Sequence, residues 1–199
     1  MLDWVFLAGL VVFAASSIGF YVAGRGKPGL NAAFLVSFVT LISYLLMWQG
    51  DLTVTTGSGQ PIFWSRWLFY GLSCTLLMVE IGELKGIEGG ALTRLVYLTA
   101  IVMLTGFLAA RDLTPFRWVH VAISSVAYGL VAVQVLGSGA PAPRWVNATV
   151  LLGWTAFPVV FILAPTGVGL IGAAVANLVY LVLDVYTKIV FNVRLSTLA

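Results

Sequence analysis

The chain has 199 residues, of which 61% are hydrophobic and only 9% carry a charge. A water-soluble domain of this length needs far more charge to cover its surface, so the composition indicates a membrane protein. Ten basic and seven acidic residues give a net charge of +3, and the bases lie mostly between apolar runs, which indicates membrane topology rather than nucleic-acid binding. The single cysteine excludes an internal disulfide and a cysteine-based metal cluster, and no metal site is predicted.

Seven apolar runs follow one another along the chain, each near the roughly 20 helical residues that cross the hydrocarbon core. The first begins at Leu2 without a basic region before it, so we expect a retained helix rather than a cleaved signal peptide. The predicted spans, separated by glycine- and proline-rich turns, are 2–24, 30–50, 60–82, 91–110, 116–137, 145–165 and 168–193. The sequence therefore predicts one domain over residues 1–199, an all-α bundle of seven transmembrane helices.

Basic residues at the ends of the spans predict the orientation in the membrane. If the N-terminus is outside, the cytoplasmic loops and tail carry Arg25, Lys27, Lys85, Arg94, Arg144 and Arg194. The outer loops then carry only Arg111 and Arg117, beside Asp51 and Asp112. Because cytoplasmic loops are enriched in lysine and arginine, we expect a multi-pass protein of the cell membrane with its N-terminus extracellular and its C-terminus cytoplasmic.

The third span contains the sequence FWSRWLFYGLSCTLLMVEIGELKG. Four of its residues, at helical offsets of 0, 3, 7 and 14, share a narrow arc of one face: Arg66, Phe69, Ser73 and Glu80. The arc is about 21 Å long, with a cation near one side of the membrane and a carboxylate near the other. The alternative is that either charge is an interfacial side chain that snorkels to water. Cys74 lies beside Ser73, and a lone membrane cysteine is usually a small packing residue.

His120, the only histidine, lies near the start of the fifth span. The simplest interpretation is an interfacial or intersubunit hydrogen bond. A proton relay or a zinc ligand is the alternative, and either requires a partner that the sequence does not identify. The neighbouring Arg111 and Asp112 are expected to be solvated loop charges.

The sixth span contains the aromatic segment WTAFPVVF. Trp154, Phe157 and Phe161 occupy one helix face, and Pro158 should kink or loosen the helix between them. Such a stripe is commonly a packing surface. Beside a buried lysine, it is also suited to clamp a flat hydrocarbon chromophore.

The seventh span places polar residues on one face inside an apolar run. Asn177, Tyr180, Asp184 and Lys188 follow one another at spacings of 3, 4 and 4. A charged side chain at a helix centre costs about 2.5–3.5 kcal/mol even on the milder scales, which indicates a function. Asp184 and Lys188 are either a structural ion pair or a lysine that forms an imine with an aldehyde, with the aspartate as counter-ion.

These segments resemble the microbial (type 1) rhodopsins. LDVYTK resembles the motif of their seventh helix whose lysine carries retinal, and WTAFPVVF resembles their retinal wall in the sixth helix. RWVHVAISSVAYGL and SYLLMWQG resemble the corresponding segments of the fifth and second helices, and the likeness covers all seven spans. The resemblance implies all-trans retinal bound to Lys188 as a protonated Schiff base, with Asp184 as its counter-ion.

The resemblance also implies the surroundings of the retinal, the path of the proton and the assembly. The implied retinal pocket contains Tyr70, Gly106, Ser124, Tyr128, Trp154, Phe157, Pro158 and Phe161. The implied proton pathway contains Arg66, Phe69, Ser73, Cys74 and Glu80. The implied partners are protons, the lipid bilayer and two further copies of the chain in a homotrimer.

Two alignments of the third span compete. Matching WLF to the DWLF of outward proton pumps places Arg66 beside the Schiff base, where two cations share one aspartate. Matching Arg66 to the family's own arginine places Phe69 at the proton-acceptor position and Glu80 at the cytoplasmic carboxylate position, and we prefer this alignment. The resulting Phe–Ser–Glu pattern resembles the schizorhodopsins, which are light-driven inward proton pumps, and implies inward release through Glu80.

The sequence therefore predicts a light-driven inward proton pump and not an enzyme. A retinal photosensor, which would need a transducer, and another type of light-driven ion transporter remain as alternatives. A chloride pump would require a small hydroxyl residue in place of Phe69. A retinal-free transporter or structural membrane protein would leave Asp184 and Lys188 as a plain ion pair.

Overall fold

The computed structural model describes residues 2–24 and 28–197. Seven helices in these stretches are long and apolar enough to cross a membrane. Their bounds are Leu2–Ala23 (α1), Pro28–Gln49 (α2), Ser65–Leu84 (α3), Gly89–Arg111 (α4), Arg117–Gly137 (α5), Arg144–Leu163 (α6) and Ala173–Leu195 (α7). The predicted all-α seven-helix membrane bundle is confirmed, and most predicted bounds differ from these by one or two residues.

A small β-hairpin, which was not predicted, precedes α3. Thr53–Thr55 (β1) pairs antiparallel with Pro61–Phe63 (β2), with Val54 opposite Ile62. The predicted helix start at residue 60 is therefore wrong, because residues 61–63 form a strand whose Ile62 packs into the bundle. We call the end of the bundle that carries this hairpin the hairpin end, and the other end the opposite end.

The seventh helix also begins later than residue 168, the predicted start. The backbone folds back after α6, where Val168 N–H donates to the Ile162 carbonyl at 2.7 Å and Gly169 N–H donates to the Ala164 carbonyl at 3.0 Å. Gly169 has a φ of +72°, a conformation that side chains with a Cβ rarely adopt. The turn extends to Gly172, so α7 starts at Ala173.

Two helices contain a wider, π-helical turn. One covers Thr149–Gly153 in α6, just before Pro158, and the other covers Val185–Val190 in α7. Such turns inside α-helices are frequent at functional sites, because they change the direction in which neighbouring side chains point. The second turn contains Lys188, whose backbone carbonyl accepts a hydrogen bond from the side-chain amide of Asn192 at 2.7 Å.

The outside of the bundle is apolar and the inside contains polar groups. Val133 and Leu152, for example, are 70% and 74% exposed, as suits a surface in contact with lipid. The consecutive helices α1 to α5 pack closely in pairs, whereas α5 packs only sparsely against α6. Arg25 and Lys27, which contributed to the predicted orientation, lie outside the described residues.

Candidate functional site

A buried ion pair lies at the centre of the bundle, on α7. The Lys188 Nζ and the Asp184 Oδ1 are 2.7 Å apart, and the two side chains are 1% and 0% exposed. The i, i+4 spacing places both groups on one helix face, as the sequence pattern indicated. Two charges this deep are stable only with close partners, so the surroundings of Asp184 decide what the pair can do.

Three further donors meet at the second oxygen of Asp184. Its Oδ2 accepts hydrogen bonds from the Tyr44 hydroxyl at 2.9 Å, from the Tyr70 hydroxyl at 2.9 Å and from Arg66 Nη1 at 3.1 Å. α2, α3 and α7 thus all contribute to one carboxylate. With Lys188 at Oδ1 and these three donors at Oδ2, both oxygens of Asp184 have hydrogen-bond partners.

Arg66 also has side-chain partners other than Asp184. Its Nη2 donates to the Asn177 side-chain oxygen at 2.8 Å, and the Asn177 amide donates to the Ala173 carbonyl at 2.8 Å. Its guanidinium lies 4.7 Å from the centroid of the Tyr180 ring. Arg66 is only 2% exposed, so it is a buried partner of Asp184 and not a snorkelling interfacial side chain.

No role was predicted for Tyr44, which lies in the segment SYLLMWQG. The signal that could have identified it is a hydroxyl in the middle of an apolar span, which requires a partner when it is buried. Tyr44 is 0% exposed, and its ring stacks on Phe13 with 5.5 Å between centroids. Which residue a hydroxyl on α2 meets depends on the rotation of three helices, and the sequence does not specify this.

Tyr44→Phe should lower the free energy of unfolding by about 1.5–3 kcal/mol, the usual worth of a hydrogen bond to a charged group. The ring and its contact with Phe13 are retained, so the loss reports the bond to Asp184. Thermal unfolding in detergent measures it. Tyr21→Phe is the matched control, because Tyr21 is exposed and its change should stay within about 0.5 kcal/mol. Equal effects of the two substitutions would contradict a stabilising role for the Tyr44 hydroxyl.

An apolar cavity of about 300 Å³ lies between α3, α4, α5 and α6. All of the pocket residues implied by the resemblance line it: Tyr70, Gly106, Ser124, Tyr128, Trp154, Phe157, Pro158 and Phe161. Trp67 lines it too and was missed. A Cβ on Gly106 would lie 3.3 Å from the Trp67 ring. The absence of a side chain at Gly106 therefore leaves room for that ring.

The cavity ends next to the lysine. Thr187 and Tyr70 line it, and Lys188 Nζ lies 3.6 Å from the centroid of the Tyr70 ring. Its volume is in the range of small-ligand pockets, about 300–1,000 Å³, and its walls are mainly aromatic and aliphatic. A flat polyene aldehyde requires such a slot with an amine at one end, and these residues fit it.

The remaining residues of the α3 face lie apart from the ion pair. Ser73 is buried, and its hydroxyl donates to the Phe69 carbonyl at 3.2 Å, while the Phe69 side chain is half-buried. Cys74 lines the cavity. Glu80 is 8% exposed, and its Oε2 has no hydrogen-bond partner among the described residues. Glu80 is thus a buried carboxyl group towards the opposite end of the bundle.

Three charged or titratable residues near the membrane surfaces have local partners. The His120 ring packs edge-on against Phe116, with 5.3 Å between centroids. Asp112 accepts hydrogen bonds from the Thr114 N–H and hydroxyl at 2.8 and 2.7 Å, and these bonds lower the pKa of its carboxyl group. Lys85, expected as a loop charge, is instead buried, and its ammonium donates to the Val135 carbonyl near the end of α5.

Comparison with known proteins identifies the family. Residues 2–199 match the family model described as bacteriorhodopsin-like protein. The chain belongs to the bacteriorhodopsin-like family. Members of this family bind retinal through a lysine and are light-driven transporters or sensors rather than classical enzymes.

Individual bacteriorhodopsin-like proteins are similar over nearly the whole chain. Bacteriorhodopsin of Halobacterium salinarum is 29% identical over 217 residues, which cover 97% of this chain and 82% of the relative. The crystal structure of schizorhodopsin 4 has 34% sequence identity and a TM-score of 0.94, with 100% of both chains covered. The thermophilic rhodopsin of Rubrobacter xylanophilus has a TM-score of 0.90 at 19% identity, a likeness of fold alone. The resemblance to microbial rhodopsins, and among them to the schizorhodopsins, is confirmed.

Proposed function

We propose that this bacteriorhodopsin-like protein is a light-driven inward proton pump that carries all-trans retinal covalently on Lys188. One observation supports this proposal above the others. Asp184 is the only carboxylate within 4.0 Å of the Lys188 nitrogen in the described part of the chain, and Arg66 and two tyrosines occupy its other oxygen. A proton that leaves Lys188 therefore has no free acceptor at the ion pair.

The buried cluster has more positive than negative groups. Two cations, Arg66 and Lys188, share the single anion Asp184, so the cluster has one excess positive charge. This sharing was counted as unfavourable in choosing between the two alignments of the third span, yet it is present in the structure. One oxygen of Asp184 contacts Lys188 and the other contacts Arg66, so neither oxygen is without a hydrogen-bond donor.

Retinal held covalently on Lys188 would supply the light-driven change that releases a proton from the lysine nitrogen. The residues of this chain then determine where the proton goes. Towards the hairpin end, Asp184 is occupied by Arg66, and Phe69 has no group that titrates. Towards the opposite end, Glu80 offers a buried carboxyl group. We propose that Glu80 assists release on that side.

The proposed direction follows from the proposed orientation. The opposite end carries Lys85, Arg94, Arg144 and Arg194, whereas the hairpin end carries Arg111 and Arg117. Because cytoplasmic ends are enriched in basic residues, the hairpin end is proposed to face outside, and release past Glu80 is then inward. The pH change of an illuminated suspension of cells tests the proposal, since a sensor gives no such change and an outward pump gives the opposite sign.

Glu80→Gln should slow light-driven proton transport by at least about tenfold, the lower part of the range for loss of a positioned proton-transfer group. The dark absorption maximum should change little, because Glu80 lies about 15 Å along α3 from Tyr70, whose ring contacts the Lys188 nitrogen. Glu83→Gln is the matched control on the same helix, since Glu83 is exposed, and it should pump at the wild-type rate. Initial rates of pH change under equal illumination measure both. Unaltered pumping by Glu80→Gln would mean that Glu80 is a passive buried group.

A further inference from the structure

The cavity beside Lys188 reaches the lipid-facing surface of the bundle. Four of its lining residues, Ser125 on α5 and Thr155, Val159 and Ile162 on α6, are exposed on the outside. We call these four residues the lateral mouth. They lie within the membrane-spanning parts of their helices, so the mouth opens towards the bilayer and not towards water.

The mouth lies at a loosely packed junction. α5 packs closely along α4, but only sparsely against α6. The π-helical turn Thr149–Gly153 and Pro158 both interrupt the regular hydrogen bonding of α6 beside this junction. A helix interrupted in this way moves more readily than a regular one, so the junction is suited to opening.

One side chain ties α5 to α6 at the mouth. The Tyr128 hydroxyl donates to the Val150 carbonyl at 2.7 Å and lies 2.9 Å from the Thr155 hydroxyl. Tyr128 also lines the cavity, and Thr155 belongs to the mouth itself. These contacts are therefore polar links between α5 and α6 directly beside the mouth.

Within residues 2–24 and 28–197, charged or close-packed side chains lie between the cavity and each end of the bundle. Towards the hairpin end, Arg66, Tyr44, Tyr70 and Asp184 form a hydrogen-bonded, charged layer. Towards the opposite end, a close-packed cluster fills the space, and it includes Leu77, Met78, Ile81, Leu95, Val131, Val135, Val146 and Val150. A hydrophobic aldehyde partitions into the bilayer, from which the lateral mouth gives direct access to the cavity.

We infer that retinal enters the protein from the bilayer through the lateral mouth and that Tyr128 is the latch that restricts this passage. The inference rests on the proposed function, because it takes retinal as the occupant. It assigns Tyr128 a role beyond lining the pocket, namely control of the rate at which the pocket is filled.

The rate of pigment formation after retinal is added to retinal-free membranes tests this inference. Tyr128→Phe keeps the ring but removes both polar contacts, and it should accelerate pigment formation by about threefold to tenfold. Ser125→Trp places a large side chain in the mouth and should slow it by at least about threefold. Val126→Trp is the matched control, because Val126 is 66% exposed on the same helix but does not line the cavity. Each rate is taken relative to that variant's own final absorbance.

Cys74 provides a second measurement that does not need retinal. It is the only cysteine of the chain and lines the cavity. In retinal-free membranes, N-ethylmaleimide should modify Cys74 faster in Tyr128→Phe and more slowly in Ser125→Trp, with Val126→Trp unchanged. A charged, membrane-impermeant thiol reagent should modify it slowly in all of them. Intact-mass spectrometry follows both reactions.

The two measurements separate failure of this inference from failure of the proposed function. Equal rates in all variants for both pigment formation and Cys74 modification would overturn the lateral route. Rapid modification by the charged reagent would also overturn it, because the cavity would then be open to water. If the Cys74 rates follow the expected order but no visible band forms in the wild type, the lateral mouth stands and the assignment of retinal fails.

Discussion

Lys188→Ala should abolish the visible absorption band in membranes that have been supplied with retinal. The cavity would still accept an apolar molecule, but no amine would remain at its Tyr70 end for a covalent bond. The measurement is the absorption spectrum, together with the intact mass after borohydride reduction, which detects covalently held retinal.

Lys188→Arg is the informative companion to the alanine variant. Arginine keeps a cation beside Asp184 but does not react with aldehydes at neutral pH, because its guanidinium stays protonated. If Lys188 served only as the partner of Asp184, the arginine variant would behave like the wild type. We expect it to fold, as judged by its thermal unfolding, and to form no covalent pigment. A covalently held pigment in either variant would refute the assignment of Lys188.

Asp184→Asn should make the visible band disappear at a lower pH than in the wild type. The carboxylate lies 2.7 Å from the Lys188 nitrogen, and its removal leaves two cations without the anion between them. The proton on the lysine nitrogen is then bound less tightly, so the band should titrate away about 1–3 pH units lower. Spectra recorded across a pH series measure the shift.

The control for this substitution is Asp112→Asn, which makes the same chemical change in a loop at the hairpin end. Among the described residues, Asp112 accepts hydrogen bonds only from Thr114, so its replacement should leave the titration of the band unchanged. Removal of one partner from a buried ion pair also destabilises a protein by about 3–5 kcal/mol, and the yield of folded protein is therefore measured alongside. An Asp184→Asn pigment that folds and titrates like the wild type would show that a different anion balances Lys188.

Sequence reasoning was most successful where a property depends on one helix. Apolar runs predicted the seven spans, because length and hydropathy are local quantities. The i, i+4 spacing of Asp184 and Lys188 predicted their proximity for the same reason. The hairpin of β1 and β2 was missed, since three-residue strands within a loop carry almost no periodic signal.

The site was less predictable where several helices meet. Tyr44 and Tyr70 both reach Asp184, but the first was assigned no role and the second only a place in the pocket wall. Lys85 was predicted as a basic residue of a cytoplasmic loop, and no contact was predicted for it, yet its ammonium donates to a carbonyl of α5. In each case the contact depends on how helices are rotated against one another, which the pattern of a single helix does not determine.

The direction of light-driven proton movement decides whether the protein is an inward pump. Cells that contain the protein and retinal are illuminated in unbuffered medium while the external pH is recorded, with and without a protonophore. The medium should become alkaline and the protonophore should abolish the change, because Phe69 and the occupied Asp184 leave release past Glu80 as the open route. Acidification of the medium under the same conditions would rule out inward pumping.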